Sequence, residues 1–309
     1  MKKELVFSMK SPFRDNFNIF SYTFGAGRKC LALVGTMRGD EVGQQYVCSQ
    51  VVKELSNLEN KGLIPKDVSI AVIPSCNPFS MNIGKRFWAM DDTDINRMFP
   101  GYNLGETTQR IAAGLFEYLQ GYEYGIQMAS FYMPGDFIPH VRILNTCLDY
   151  VNEAKDFGLP YVTVRTPGPF DTTLLNYNWQ IWDTKTFSLY GGATGRIDGD
   201  VCKTLLNSII RFMIKKGFVL KKSFDPAYDS EIFNENELIS IQAPNAGFFY
   251  KKKKAGDFVR KGDELGRIVD PYDGSIKSRL YAFHDGIMFF THDNPLTLQN
   301  TPLFKIRGE

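Results

Sequence analysis

The sequence has little histidine and little cysteine, and it has no long apolar run. Only 3 of its 309 residues are histidine, the side chain that most often joins carboxylates in a catalytic zinc site. None of its 5 cysteines forms a Cys-x-x-Cys pair, which argues against a disulfide framework or a cysteine zinc site and favours a reducing cytoplasm. No stretch of about 18 apolar residues and no signal-peptide pattern occurs, so we expect neither a membrane span nor secretion.

An excess of charge of either sign is also missing. The chain has 36 Lys and Arg against 34 Asp and Glu, a formal net charge of +2. Because no general attraction to polyanions follows, nucleic acid is not an expected partner. With 43% hydrophobic and 14% aromatic residues, the composition is that of an ordinary globular protein, and the length suits one large domain and a smaller one.

The larger part of the chain alternates short apolar runs with amphipathic helical patterns. The runs predict strands at residues 30–35, 68–74, 124–128, 161–164 and 186–189, and the helical spacing predicts helices at 42–58, 106–119 and 198–216. Alternating strands and helices are typical of a sheet with crossover helices. We therefore predict an α/β domain over residues 1–232.

After residue 232 the pattern changes to short strands and turns. Two segments of about 35 residues resemble one another, each with a glycine, Gly247 or Gly286, ahead of an apolar pair and a closing strand. They predict a small all-β barrel or sandwich over residues 233–309. It resembles a lipoyl- or biotinyl-type barrel without the lysine hairpin that would carry a cofactor, and we interpret the run Lys251 to Lys254 as a solvated hairpin edge.

Four segments together carry a family resemblance. They are LALVGTMRGDEVG at residues 31–43, NPFSMNIGKRFWAMDDTDINRMFPG at 77–101, TFSLYGGATGRID at 186–198, and Gly-x-x-Val-x-x-Gly-Asp at 256–263. Their order and spacing resemble those of the succinylglutamate desuccinylase/aspartoacylase family in the zinc carboxypeptidase clan. The resemblance implies a zinc-carboxypeptidase-like mixed α/β sheet flanked by helices, followed by a small all-β domain beside the active-site mouth.

The resemblance also implies a chemistry, the zinc-assisted hydrolysis of N-acylated amino acids and related amides. In the family, two histidines and a glutamate hold the metal, and a second glutamate is the general base. Asn96 and Arg97 match the family pair that grips a carboxylate. Arg86 matches the arginine that polarises the carbonyl, and Glu41 matches the metal-binding glutamate.

Three family positions are changed in this chain. Arg38 stands at the first metal histidine, Ala129 at the second, and Leu189 at the general base. No histidine precedes His140, and arginine has no lone pair to offer a metal. We therefore predict no cofactor and no metal, with an Arg38 guanidinium that pairs with Glu41 and faces the pocket; the alternative is a surface arginine on a degenerated loop.

Two further alternatives stay open at this point. The basic residues Arg86 and Arg97 could be paired within their own loop, and the acidic residues available there are Asp91, Asp92 and Asp94. A non-standard metal site could combine Glu41 with His140 and His284. Histidines at such positions are, however, more often turn or core residues than metal ligands.

The sequence thus predicts a catalytically degenerate member of the family with a carboxylate pocket. Its substrate-binding residues would be Arg38, Arg86, Asn96 and Arg97, and its candidate catalytic residues Glu41 and Arg86. The protein would bind a small carboxylate-bearing ligand or act as the partner subunit of another protein, as a monomer or a homo-oligomer. The alternative is an active amide hydrolase or deacylase that uses a non-standard site, with zinc as cofactor or with no metal.

Overall fold

The structure, a computed structural model, describes residues 1–13, 15–146, 150–222 and 227–308. Within these ranges it has five α-helices and seventeen β-strands. The helices are α1 (Val42–Asn60), α2 (Pro78–Asn82), α3 (Thr107–Leu119), α4 (Leu175–Ile181) and α5 (Gly199–Lys215). The strands are β1 (Lys2–Met9), β2 (Phe17–Gly25), β3 (Arg28–Thr36), β4 (Val68–Ser75), β5 (Tyr124–Met128), β6 (Gly135–Leu144), β7 (Tyr161–Arg165), β8 (Lys185–Ala193), β9 (Glu231–Asn234), β10 (Leu238–Gln242), β11 (Gly247–Lys251), β12 (Phe258–Val259), β13 (Glu264–Val269), β14 (Ile276–Tyr281), β15 (Gly286–His292), β16 (Leu296–Thr297) and β17 (Pro302–Gly308).

A large mixed sheet organises the chain. Its main path runs β1-β2-β4-β3-β5-β8-β6-β15-β17-β10, with β7 and β9 added beside β6 and β12 beside β15. Strands β4, β3, β5 and β8 are mutually parallel. Because parallel strands end at the same edge of a sheet, the loops that follow β3, β5 and β8 come together there.

Helices cover both faces of this central region. Along β3, Leu31 and Leu33 pack in one core with α1 and α5, whereas Ala32 and Val34 pack in the opposite core with α3 and α4. All four side chains are fully buried, as the continuous apolar run of a two-sided parallel strand requires. The predicted α/β fold class is confirmed.

The C-terminal strands form a sandwich with an extension of the same sheet. Strands β14, β13, β11 and β16 make a separate four-stranded antiparallel sheet, which packs through an apolar core against β10, β15 and β17. The all-β character predicted for residues 233–309 is confirmed. The large sheet is continuous across residue 232, however, because β15 pairs with β6 through Phe290 and Phe137.

The predicted strands and helices of the first part are present within a few residues of their expected bounds. Four strands that begin before residue 232 were not predicted, namely β1, β2, β6 and β9, and neither were the short helices α2 and α4. In β1 three charged residues precede a short apolar run on an exposed edge, and β6 contains Pro139 inside a register shift against β8. Proline inside an apolar run argues against a strand unless a bulge accommodates it, as happens here. None of the helices in the described ranges is long and apolar enough to cross a bilayer.

Candidate functional site

A pocket of about 80 Å³ lies at the edge where the parallel strands end. Its walls come from the loops after β3, β5 and β7, from the short helical turn at residues 95–97, from the first turn of α4, and from strands β5, β6, β7 and β8, and they are rich in arginine. The lining residues are Arg38, Asn96, Arg97, Gln127, Ala129, Ser130, Phe131, Tyr132, Arg142, Leu144, Arg165, Asp171, Leu174, Asn176, Ser188 and Tyr190. This pocket is the candidate functional site.

The loop after β3 is built around the carboxylate of Glu41. One of its oxygens accepts hydrogen bonds from the backbone N–H groups of Met37 and Arg38, at 2.9 and 3.0 Å. The loop can turn so tightly because Gly39 has no side chain: a Cβ there would lie 2.2 Å from the carbonyl oxygen of Lys85. The sequence Arg-Gly-Asp-Glu therefore places a buried carboxylate, 1% exposed, directly beneath the pocket.

The other carboxylate oxygen of Glu41 is also fully used. It accepts a 2.6 Å hydrogen bond from the Ser130 hydroxyl and a 3.3 Å bond from the Arg38 guanidinium. Arg38 reaches further, donating two hydrogen bonds of 3.1 and 2.8 Å to Asp94. Burial disfavours the charge of Arg38, but attraction to Glu41 and Asp94 outweighs it and raises the pKa of the guanidinium. Arg38 is thus a fixed cation in the pocket wall.

These residues do not suit the zinc ion that the family resemblance implies. Both oxygens of Glu41 already accept bonds, Ala129 has no donor atom, and Arg38 would repel a cation. In the part of the chain that the structure describes, no group of three or more His, Cys, Asp or Glu could hold a metal ion. The chemistry of the donor set therefore disagrees with metal binding here.

The histidines considered as replacement ligands lie elsewhere. His140 is fully buried, stacked 5.1 Å from the Tyr190 ring and bonded through Nδ1 to the Ile138 carbonyl at 2.9 Å. Burial lowers the pKa of its imidazole to about 3. His284 is exposed on the C-terminal sandwich. The structure does not bring these two histidines together with Glu41 in a metal cluster.

The structure separates the four residues predicted to bind substrate into two groups. Arg38, Asn96 and Arg97 line the pocket. Arg86 stands behind its wall, where it donates to Asp40 at 2.7 Å, to the Phe131 carbonyl at 2.5 Å and to the Ser130 hydroxyl at 3.4 Å. Arg86 therefore supports the wall rather than lining it.

The ion pairs of these arginines differ from the alternative considered from the sequence. That alternative paired Arg86 and Arg97 with acidic residues of their own loop and is wrong, because they lie against Asp40 and Asp171 instead. The loop acid Asp94 is held by Arg38. The reason is geometric: Asp94 caps the short helical turn over residues 95–97 and faces the loop after β3.

Strand alternation decides which residues of β8 reach the pocket. Ser188 and Tyr190 line it, whereas Leu189 points to the opposite face and is fully buried in the core with α1 and α5. The position that matches the family's general base therefore lies outside the pocket wall.

Three pocket residues had not been singled out from the sequence. Ser130 follows the end of β5 and bonds to Glu41. Arg142 on β6 donates to the Tyr190 hydroxyl at 2.6 Å and to Glu235 at 2.9 Å. Arg165, the last residue of β7, bonds to Asp171 at 3.0 Å. Polar residues at the carboxyl ends of strands were a signal that could have found Ser130 and Arg165.

Part of the chain matches a known family. Residues 27–127 match the model of the succinylglutamate desuccinylase/aspartoacylase catalytic domain. This match, which includes the loop after β3 and the segment of Asn96 and Arg97, supports the family resemblance found in the motifs over that part of the chain. No curated protein matches the sequence.

Solved structures show the same fold over almost the whole chain. A succinylglutamate desuccinylase/aspartoacylase from Rhodobacter sphaeroides has a TM-score of 0.79 at 19% identity, covering 94% of this chain and 89% of that one. The product-bound ectoine utilization protein EutE (DoeB) from Ruegeria pomeroyi has 0.78 at 17%, covering 94% and 89%. An aspartoacylase family protein from Mesorhizobium loti has 0.77 at 19%, covering 99% and 93%. The fold is therefore shared by sequences that have diverged widely.

Proposed function

We propose that the protein is a catalytically degenerate relative of the desuccinylases and aspartoacylases that binds a carboxylate-bearing ligand without a metal. In this proposal the pocket holds the carboxylate, and the protein serves as a ligand-binding protein or as the partner subunit of another protein. The proposal combines the family match with two features of the pocket, its charge balance and the neighbours of Glu41.

The observation that carries the anion site is an unequal pairing of charges. Arg97 and Arg165 both face the single carboxylate of Asp171, at 3.9 and 3.0 Å. Two guanidinium groups thus share one negative charge on this side of the pocket, which leaves one positive charge uncompensated there, whereas Arg38 on the other side faces two carboxylates. Guanidinium groups bind carboxylates through paired N–H donors, so a ligand carboxylate is the natural counter-charge.

The neighbours of Glu41 support the lack of metal chemistry. In a zinc hydrolase this glutamate would offer an oxygen lone pair to the metal, but here its oxygens accept four hydrogen bonds. A fixed Arg38 guanidinium lies beside it in place of a divalent ion. A reducing compartment such as the cytoplasm suits the protein as well, because Cys30, Cys48, Cys76 and Cys202 are buried free thiols.

The proposal is tested by ligand-induced thermal stabilisation with N-acetyl amino acids as probes. We expect stabilisation by some of these probes, and we expect Arg97→Ala to weaken their binding about ten- to hundredfold, the cost of removing a charged hydrogen bond. Arg279→Ala is the matched control, because Arg279 is similarly exposed and also pairs with a carboxylate, that of Glu264, but lies on β14 in the C-terminal sandwich. An Arg97→Ala variant with an unchanged ligand response would remove the anion site from consideration.

The absence of metal-dependent catalysis needs a separate measurement. We expect the purified protein to contain far less than one zinc per chain and to release no amino acid from N-acetyl or N-succinyl substrates, with or without added zinc. One zinc per chain together with hydrolysis would instead support the alternative, an active amide hydrolase with a non-standard site.

A further inference from the structure

The pocket adjoins a second, larger depression between the α/β part and the C-terminal sandwich. This groove has a volume of about 560 Å³, against about 80 Å³ for the pocket. Phe131, Tyr132 and Arg165 line both, so the two lie side by side. The groove is also lined by Glu235, Asn236, Leu238, Ser240, Pro302 and Lys305.

The size of the groove indicates a ligand longer than a single amino acid. The groove continues from Arg165, one of the two arginines that share Asp171, along β10 and β17. A chain whose terminal carboxylate lies at Arg97 and Arg165 would therefore leave the pocket through the groove.

The walls of the groove favour a chain that contains amides over a plain hydrocarbon chain. Ser240 and Asn236 are exposed there and can bond to backbone N–H and C=O groups. They alternate with apolar surface from Phe131, Leu238 and Pro302, which suits the side chains of a peptide. A fatty acyl chain would leave the polar groups unpaired.

A similar charge imbalance lies where the groove meets the pocket, because Arg142 lines the pocket while Glu235 and Lys305 line the groove. Arg142 and Lys305 share the carboxylate of Glu235, at 2.9 and 3.8 Å. The Lys305 ammonium also lies 5.1 Å from the centre of the Phe131 ring, at the junction of pocket and groove. Burial lowers the pKa of Lys305 despite Glu235, so a second negative charge beside it would stabilise its protonated form.

We propose that the ligand is the C-terminal end of an acidic peptide, with its terminal carboxylate at Arg97 and Arg165 and an acidic side chain near Lys305. This inference rests on the proposed carboxylate pocket and adds the class of ligand that the pocket and groove accept together. An extended peptide advances about 3.3 to 3.6 Å per residue, so the residues before the last one lie in the groove.

The test compares four probes by calorimetry: N-acetyl-Ala, N-acetyl-Glu-Glu-Ala, N-acetyl-Gln-Gln-Ala and N-dodecanoyl-Ala. We expect N-acetyl-Glu-Glu-Ala to bind at least about tenfold more tightly than N-acetyl-Ala, with N-acetyl-Gln-Gln-Ala between them. The inference is overturned if the acidic tripeptide binds no more tightly than N-acetyl-Ala, or if N-dodecanoyl-Ala binds more tightly than both tripeptides.

Two variants locate the effect in the groove. Ser240→Trp places a bulky side chain in the groove and should abolish the gain from peptide length, while N-acetyl-Ala binds as before. Gln242→Trp is its control, because Gln242 is exposed on the same strand but outside the groove. Lys305→Gln should remove the preference for the acidic over the neutral tripeptide; a preference that persists in Lys305→Gln would contradict the role of Lys305.

The two levels of the proposal fail differently. Failure of the carboxylate pocket would appear as an unchanged affinity for every probe in Arg97→Ala. Failure of the groove alone would appear as equal affinities for N-acetyl-Ala and the tripeptides, all weakened by Arg97→Ala.

Discussion

At the scale of single residues, the site is governed by one buried arginine between two carboxylates. Arg38 is 7% exposed and bonds to Glu41 and Asp94. Removing one partner of a buried charge cluster leaves the other charges buried without a counter-charge, and this lowers stability strongly. Replacing the whole cluster by apolar residues would cost much less. Arg38 therefore has a structural role that is independent of any ligand.

We expect Arg38→Ala to lower the free energy of unfolding by about 3 to 5 kcal/mol. The physical reason is that Glu41, which stays inside the loop after β3, loses its positive neighbour. The measurement is urea unfolding at neutral pH. Arg28→Ala is the control, because Arg28 pairs with Glu123 at the surface and such pairs contribute about 1 kcal/mol or less. Equal effects of the two changes would show that the cluster is not a buried charge network.

The sequence could indicate part of this site but not all of it. The pairing of Arg38 with Glu41 was predicted because Arg38 stands at the family's first metal histidine beside that glutamate, and the structure shows the contact. The role of Asp94 did not follow, because it comes from another loop. Predicting the side of β8 on which Leu189 lies also required the register of this strand, since neighbouring strand residues face opposite sides of the sheet.

At the scale of elements, β6 holds the site and the C-terminal sandwich together. It pairs with β8 on one side and with β15 on the other. At this junction the His140 ring lies against three aromatic rings, those of Phe137, Tyr190 and Phe289. An imidazole in such a layer is a neutral packing group, which explains why it is not a metal ligand.

Because His140 is buried and neutral, we expect the free energy of unfolding to decrease at acidic pH. The unfolded chain gains a proton on this imidazole as the pH falls below 6.5, whereas the folded protein resists protonation down to about pH 3. Between these two pH values the unfolded chain binds more protons than the folded protein. The contribution of His140 to the free energy of unfolding is therefore fully present above pH 6.5 and falls as the pH is lowered, by at most about 1.4 kcal/mol per pH unit.

The measurement is the unfolding free energy of wild type and His140→Phe between pH 7 and pH 4.5. We expect the variant to lose less stability than the wild type on acidification, while Phe preserves the ring contact with Tyr190. His284→Gln, at an exposed position, should keep the wild-type dependence. Parallel profiles for wild type and His140→Phe would show that His140 does not cause the acid sensitivity.

Helices and strands with a regular apolar pattern were easier to predict than irregular ones. Helices α1, α3 and α5 and the central strands were predicted because their apolar pattern is regular, as in strand β3, whose apolar run is buried. Strand β6 was missed because Pro139 and Arg142 interrupt its apolar pattern. Both are accommodated only by tertiary structure, the proline at a register shift and the arginine by Tyr190 and Glu235.

At the scale of the whole molecule, the structure raises the question of whether residues 1–232 and 233–309 fold separately. The sequence predicts two domains at this boundary from a change of texture. The large sheet nevertheless crosses it, and an aromatic cluster joins Phe131 and Phe137 from one side to Phe233, Phe289 and Phe290 from the other. Since the groove also takes its walls from both parts, we expect the chain to unfold as one cooperative unit.

The three tryptophans allow this cooperativity to be measured, because Trp88, Trp179 and Trp182 all precede residue 232. Leu265 is fully buried in the core of the C-terminal sandwich, and Leu265→Ala should cost about 2 to 5 kcal/mol. If the two parts unfold together, tryptophan fluorescence will report the full decrease in the free energy of unfolding, although all three tryptophans belong to the other part of the chain. Leu298→Ala is the control, because Leu298 is 73% exposed. A fluorescence transition that stays at the wild-type midpoint in Leu265→Ala, while circular dichroism shows an earlier step, would establish two independent domains.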